Sequence, residues 1–150
     1  MEQRTGEGQQ LKEDILQKLD GMERDVDYVE SRSPEITGVY KEKLSAKIKE
    51  LLENNTLDEA RILTEVAIFA DKTCVDEETV RLRSHIDGMR KALTLEQKEG
   101  VGRKLDFIAQ EMNREANTIL SKCNNMDISD TAIRLKTEIE KIREQVQNIE

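Results

Sequence analysis

Apolar residues recur every three or four positions along most of this 150-residue chain, the spacing that places them on one face of an α-helix. The first run consists of Leu11, Ile15, Leu19, Met22, Val26 and Val29. After it, Ser33, Pro34 and Glu35 offer an N-cap, a proline at the first helical position and an acidic first turn. We therefore expect one helix to end near Glu30 and a second to run to about Glu53.

Four more helices are predicted downstream, separated by short polar or glycine-containing breaks. They cover about 58–72, 76–93, 102–122 and a final segment from about Ser129 to the C-terminus. The final helix carries apolar residues at alternating steps of four and three, namely Ile128, Ala132, Leu135, Ile139, Ile142, Val146 and Ile149. This register predicts coiled-coil-like packing against another long helix, either of the same chain or of a second subunit. The expected fold is all-α, an elongated antiparallel bundle of about six helices in which 1–56 form a helical hairpin and 57–150 a helical domain.

Composition narrows the class of protein. Charged residues make up 37% of the chain and aromatic residues 3%, which is typical of long-helix proteins rather than of β-sandwiches or Rossmann sheets. No run of apolar residues is long enough to span a membrane, and the N-terminus lacks an apolar signal-peptide core. Cys74 and Cys123 stand outside any CxxC motif, and such free thiols favour a reducing, cytoplasmic location.

The charge is unevenly distributed along the chain. The sequence carries 24 Lys and Arg against 32 Asp and Glu, a net charge of −8 that argues against general affinity for nucleic acids. Residues 81–122 nevertheless contain nine basic residues and six acidic ones. Such a basic island can hold a phosphate backbone locally, although it can also arise by chance in a highly charged helical chain.

The helix predicted over 102–122 has an unusual polar edge. Asp106, Gln110, Asn113 and Asn117 follow one another at i, i+4, i+7 and i+11, with Arg103 and Arg114 just outside them. Asparagine is a mediocre helix former because its amide competes for backbone hydrogen bonds, so two of them in mid-helix indicate a positioned polar site. Glu111 and Glu115 lie on a different face, for which plain solvent exposure is the simpler explanation.

The helix predicted over 76–93 holds the single histidine. Glu78, Arg81 and His85 share one edge of it, and a carboxylate and an imidazole so spaced could bind a divalent metal or exchange a proton. An edge histidine bonded to a neighbouring carboxylate is the simpler alternative. The sequence lacks HExxH, GxxxxGK[ST] and GxGxxG motifs, and its two Phe and two Tyr are too few for a base-stacking sheet. Carboxylates that could bind Mg²⁺ or Mn²⁺ are Glu65, Asp71, Glu78, Asp106, Glu111 and Glu115.

Several segments resemble one family of bacterial proteins. These are RTGEGQQL, LDEARILTEVAIFADKTCVDEETVRLRSHI, GRKLDFIAQEMNREANTILSK and the C-terminal IEKIREQVQNIE. Together they cover essentially the whole chain, and they resemble the YicC/YloC family. The resemblance implies a divalent-metal-dependent endoribonuclease that cleaves RNA and assembles into oligomers. It also implies that the family's N-terminal domain is absent here, so that the chain corresponds to the C-terminal half.

Within that interpretation, chemistry assigns provisional roles to the residues that match the family. Glu78, Asp106 and Glu111 are the predicted ligands of Mg²⁺ or Mn²⁺, with Glu65, Asp71 and Glu115 as alternates. His85 is the predicted proton-transfer group, with Asp106 and Glu111 as the other catalytic residues. Phosphate and bound water would be held by Arg81, Arg83, Arg103, Gln110, Asn113, Arg114 and Asn117. This arrangement requires the Asp106 edge of its helix, rather than the Glu111 face, to look toward His85.

The expected partners are RNA and further copies of the chain, with neither a membrane nor a small-molecule cofactor. An alternative function belongs to a different class. The chain could be a helical oligomerisation or regulatory module, with the Asn-rich edge as a subunit contact and catalysis in the absent N-terminal half.

Overall fold

The fold is described by a computed structural model, which covers residues 2–53, 59–73, 75–95, 101–123 and 125–148. Its helices are α1 (Glu2–Glu53), α2 (Glu59–Thr73), α3 (Asp76–Leu95), α4 (Val101–Lys122) and α5 (Met126–Val146). The described residues contain no strand. The all-α prediction is therefore confirmed, with five helices in the described part of the chain where about six were expected.

The difference in helix number arises at Pro34. The predicted break is wrong, because α1 continues through Pro34 as one helix of 52 residues. Proline lacks a backbone donor and costs about 3 kcal/mol inside a helix. Val29 and Ile36 are buried on either side of it, on one continuous apolar stripe that an unbroken helix keeps against the core. Ser33 does not act as an N-cap, because it lies inside α1; its carbonyl oxygen accepts a hydrogen bond of 3.1 Å from Thr37 Oγ1.

Four helices enclose the main core. α4 packs between α3 and α5, and α1 packs against α3 and α5 on the opposite side. The α4 contribution is an apolar arc of Leu105, Ala109, Met112, Ala116 and Ile119, all completely buried. The position of α4 between two helices matters for function, because each of its two polar edges then faces a different neighbour.

The C-terminal helix begins earlier than predicted. Asn125, rather than Ser129, is its N-cap: the Asn125 side-chain oxygen accepts a hydrogen bond of 3.2 Å from the backbone N–H of Ile128. The predicted apolar positions from Ile128 to Val146 are buried against α4 and α1, while Ile149 lies outside the described residues. Coiled-coil geometry at this contact stays a prediction.

The second half of α1 and the whole of α2 form a hairpin beside this core. The two segments pack on each other, and Lys47 Nζ lies 3.0 Å from Glu65 Oε1 across their contact. Large apolar side chains remain exposed on both segments, namely Val39, Leu52, Leu63, Val66 and Ile68. None of the described helices is both long enough and apolar enough to cross a membrane.

Candidate functional site

Charged side chains line the contact between α3 and α4. Glu78 is only 2% exposed, and its Oε1 lies 3.0 Å from Lys122 Nζ. Glu115 is 6% exposed and accepts a hydrogen bond of 2.8 Å from Arg81 Nε. Arg81 also reaches Glu78 Oε1 at 3.6 Å, so it joins the two carboxylates. We refer to Glu78, Arg81, Glu115 and Lys122 as the α3–α4 charge cluster.

The protonation of groups at this cluster follows from its contacts. The hydrogen bond to Glu115 raises the pKa of Arg81 and keeps the guanidinium charged. Burial raises the pKa of the Cys123 thiol, and the negative charge of Glu78 acts in the same direction. Glu78 Oε2 is buried and accepts no hydrogen bond from the described residues, whereas Oε1 lies beside the ammonium group of Lys122. The cluster therefore consists of buried carboxylates compensated by basic side chains.

His85 lies one turn further along the same edge of α3. The helices α3 and α4 run antiparallel, since Glu78 pairs with Lys122 and Arg81 with Glu115. Moving four residues along each helix from the Arg81–Glu115 pair brings His85 level with Glu111. Both side chains are half-buried. The α4 edge that faces α3 is thus the acidic one.

The Asp106 edge of α4 faces the other neighbour, α5. Asp106 Oδ1 accepts a hydrogen bond of 3.1 Å from Arg143 Nε, and Oδ2 accepts one of 2.9 Å from Gln110 Nε2. The hydrogen bond to Asp106 raises the pKa of Arg143. The expectation that the Asp106 edge faces His85 is therefore wrong, because periodicity defines the two edges of a helix but not the helix that covers each. Arg143 is not among the predicted site residues, although the sequence shows it directly after Ile142, a buried position of α5.

The predicted metal ligands do not come together. Glu78 belongs to the α3–α4 charge cluster, while Asp106 is bonded to α5 on the far edge of α4. Of the alternates, Glu65 pairs with Lys47 on α1, and the side chain of Asp71 is outside the described part. Among the described residues, no three His, Cys, Asp or Glu side chains are grouped as a metal site requires. The described residues thus do not fit a three-ligand Mg²⁺ or Mn²⁺ site, and dependence on a metal stays a prediction.

Arg83 is occupied by carboxylates of α1. Its Nε and Nη2 donate hydrogen bonds of 2.9 and 2.7 Å to the two oxygens of Glu30, and Nη2 also donates to Asp27. The hydrogen bond to Glu30 is the main reason that the pKa of Arg83 is raised. Binding phosphate at Arg83 would require breaking these ion pairs, so the geometry gives this side chain a structural role.

Arg103 and Arg114, in contrast, project from α4 into solvent and make no ion pair with described residues. They belong to a row of exposed residues at i, i+4, i+7, i+11, i+14 and i+18. The row comprises Arg103, Phe107, Gln110, Arg114, Asn117 and Ser121. We call it the α4 outer face. Lys104 is exposed beside it, and Asn113 is half-buried on the side toward α5.

The α4 outer face has a distinctive charge. Within the described part of the chain, α4 is the helix whose exposed residues include no carboxylate; α1, α2, α3 and α5 all expose Asp or Glu. Phe107 stands in the middle of this surface with 61% of its area exposed. Sequence reasoning missed Phe107, although its spacing of four from Arg103 and seven from Arg114 was visible in the sequence. The arrangement offers two guanidiniums, two amides and one aromatic ring to a ligand.

Comparisons with known proteins agree on one family. The family model described as endoribonuclease YicC-like, C-terminal, matches residues 29–150. A protein of Clostridioides difficile named "Probable endoribonuclease YicC" is 44% identical over 150 residues, 99% of this chain and 50% of that protein. A protein of the same name from Haemophilus influenzae is 39% identical over 148 residues, 98% of this chain and 50% of that protein. The chain spans about half the length of these curated relatives, and it belongs to the family of YicC-like endoribonuclease C-terminal domains.

Proposed function

We propose that this chain is the helical part of an endoribonuclease and that it holds the RNA backbone on the α4 outer face. The two relatives are named as endoribonucleases, which makes RNA the substrate class to consider. The observation that carries the proposal is the absence of exposed carboxylates from α4, in a chain whose net charge is −8. A polyanion is repelled by the acidic remainder of the surface and attracted to this face.

The side chains of the outer face suit a phosphate backbone. Arg103 and Arg114 can each donate two parallel hydrogen bonds to phosphate oxygens. Gln110 and Asn117 offer amides to phosphate or to the ribose 2′-hydroxyl, which is both donor and acceptor. Along the helix the two arginines lie about 16 Å apart at 1.5 Å per residue, so they contact separate phosphates of one strand.

Cleavage would take place beside this surface. Glu111 lies on the flank of α4 between the outer face and α3, level with His85 by the register described above. RNA bound on the outer face therefore runs alongside His85, which we propose as the proton-transfer group, with Glu111 orienting the imidazole. This part of the proposal uses only side chains of the chain and no step through a metal ion.

RNA binding is tested by measuring the affinity of the chain for a labelled single strand at several salt concentrations. Replacing both Arg103 and Arg114 by Gln should weaken binding and lower the slope of log K against log salt by about 1.4, since each phosphate contact contributes about 0.7. Lys91→Gln is the matched control, because Lys91 is an exposed basic residue on α3. An unchanged slope in the double variant would refute binding at the outer face.

Cleavage is tested separately on the same RNA in the presence of Mn²⁺ or Mg²⁺. We expect His85→Asn to slow cleavage about 10²–10⁴-fold, the usual contribution of a positioned acid or base. Ser84→Ala provides the control at the neighbouring exposed position of α3. Equal rates for His85→Asn and the wild-type chain would remove His85 from the mechanism while leaving the binding surface intact.

A second function, self-association, is favoured by a different observation. Exposed apolar side chains such as Leu63 and Ile68 mark the hairpin formed by α2 and the second half of α1. In this alternative the chain is a helical oligomerisation module. Sedimentation of the chain with and without Leu63→Ser separates the two functions: a stable oligomer without RNA affinity at any salt concentration favours the module.

A further inference from the structure

We infer that Phe107 is a stacking platform for one unpaired base, and that the α4 outer face therefore selects single-stranded RNA over duplex. This inference rests on the proposed function, because it takes RNA to be the ligand of that face. It adds a substrate class, unpaired nucleotides, and a specificity residue that neither the family model nor the names of the relatives provide.

The position of Phe107 is the first argument. Phe107 is 61% exposed, whereas the other apolar residues of α4 are either completely buried in the core or half-buried against it. Full burial of such a side chain contributes about 1.5–3 kcal/mol, and Phe107 forgoes the larger part of it by staying exposed, so its surroundings bear on its role. Those surroundings are the exposed Arg103 one turn before it, and the exposed Gln110 and the half-buried Glu111 one turn after it.

The chemistry of these neighbours points to a nucleotide rather than to an apolar partner. A surface for a protein partner would surround Phe107 with further apolar side chains, as in the hairpin of α1 and α2. The exposed residues nearest to Phe107 are instead cationic or amide-bearing, and the nearest carboxylate, Glu111, is half-buried on the flank toward α3. A cation for the phosphate, an aromatic face for the base and amides for polar edges are the components of single-strand recognition.

Base pairing decides which RNA can use this surface. In a duplex both faces of every internal base are covered by its neighbours, so no π-face is available to an aromatic side chain. An unpaired base exposes a π-face that any aromatic ring can cover, without regard to base identity. One isolated ring can accept one base, so the preference is for unpaired nucleotides rather than for a particular sequence.

The experiment measures the affinity of the 150-residue chain for one labelled strand, alone and annealed to its complement. The variants are Phe107→Leu, which keeps apolar area without an aromatic ring, and Phe107→Tyr, which keeps the ring. Ile133→Ala is the matched control, because Ile133 is a large apolar residue 51% exposed on α5. We expect Phe107→Leu to weaken single-strand binding about 5- to 150-fold and to leave duplex binding unchanged. Phe107→Tyr and Ile133→Ala should bind as the wild type does.

A spectroscopic test is available because the chain has no tryptophan. In Phe107→Trp the introduced indole is the single one, and a base stacked on it should quench its fluorescence. We expect quenching on addition of the single strand and none on addition of the duplex. Quenching by both forms, or by neither when the single strand is bound, would overturn the stacking role.

The outcomes separate the two proposals. If the wild-type chain binds neither RNA at low salt, both the proposed function and this inference fail. If Arg103→Gln weakens binding but Phe107→Leu does not, stacking fails and the backbone contact survives. If Phe107→Leu changes the sedimentation of the chain and not its RNA affinity, Phe107 belongs to a protein–protein contact and the inference is overturned.

Discussion

The same substitution should affect stability at Arg83 and RNA affinity at Arg103, although both arginines belong to the basic island over residues 81–122. The perturbation is Arg→Gln at each position. Arg83 is 32% exposed and donates two hydrogen bonds to Glu30, whereas Arg103 is exposed and makes no ion pair with described residues. The structure therefore predicts a loss of stability in the first variant and a loss of RNA affinity in the second.

The magnitude for Arg83 follows from its contacts. Hydrogen bonds to charged groups contribute about 1.5–3 kcal/mol, and partial exposure reduces this because exposed ion pairs contribute about 0.2–1 kcal/mol. We expect Arg83→Gln to lose about 1–2 kcal/mol of unfolding free energy, which lowers Tm by about 2–8 °C in a chain of this length. Arg103→Gln should stay within about 0.5 kcal/mol of the wild type.

Urea denaturation followed by circular dichroism gives both unfolding free energies, and the salt-dependent RNA affinity is measured on the same samples. A double-mutant cycle with Glu30→Gln should give a coupling energy of about 1 kcal/mol with Arg83, because the two side chains share their hydrogen bonds. The reasoning is refuted if Arg83→Gln retains full stability while it weakens RNA binding, since Arg83 would then be a phosphate contact and its ion pairs incidental.

Three further predictions concern a core residue, the loss of stability at acid pH and the buried thiol. Ile139→Ala should cost about 2–5 kcal/mol in urea denaturation, because Ile139 is completely buried, whereas Ile133→Ala on the outside of the same helix should cost at most about 0.5 kcal/mol. The hydrogen bond from Arg83 lowers the pKa of Glu30 from its ordinary 4.5. The ionised Glu30 carboxylate therefore contributes fully to folding stability above that pH, and this contribution is lost as the pH falls through the lowered pKa. Between about pH 5 and 3, Glu30→Gln should lose less stability than the wild-type chain does. Burial raises the pKa of Cys123, so in a Cys74→Ser background a thiol reagent should react slowly at neutral pH and rapidly once urea unfolds the chain; rapid reaction of the folded protein would contradict that burial.

Most of the fold could be predicted from hydrophobic spacing, because each core helix buries one continuous stripe. The buried positions of α4 and α5 coincide with those that the spacing indicates. The predicted break at Pro34 is wrong because a local capping pattern carries no information on the apolar stripe that continues from Val29 to Ile36. Packing against residues distant in sequence decides whether such a helix is continuous. A short stretch of sequence around Pro34 contains no information about that packing.

The candidate site could be predicted only in part for a related reason. Periodicity placed Asp106 and Glu115 on different edges of α4, and the structure agrees that they face different directions. Which edge of α4 faces α3 depends on how α3, α4 and α5 pack together. The residue pattern of α4 alone does not contain this information. Phe107 is not among the predicted site residues, because the aromatic content of a chain carries no information on the exposure and the neighbours of a single ring.

The continuous α1 has a mechanical consequence. A helix of 52 residues is about 78 Å long, whereas the 22 residues of α4 span about 33 Å, so α1 extends well beyond the core that anchors its first part. Such a rod is a lever: a tilt of about 10° at Ile36 displaces Glu53 by about 4 Å, given 1.5 Å per residue. Pro34 removes one backbone hydrogen bond where the lever leaves the core, and helices bend most readily at such a position. A force applied to the hairpin therefore reaches the core by two routes, along α1 past Pro34 and through the contact between α2 and α4, the helix that carries the outer face.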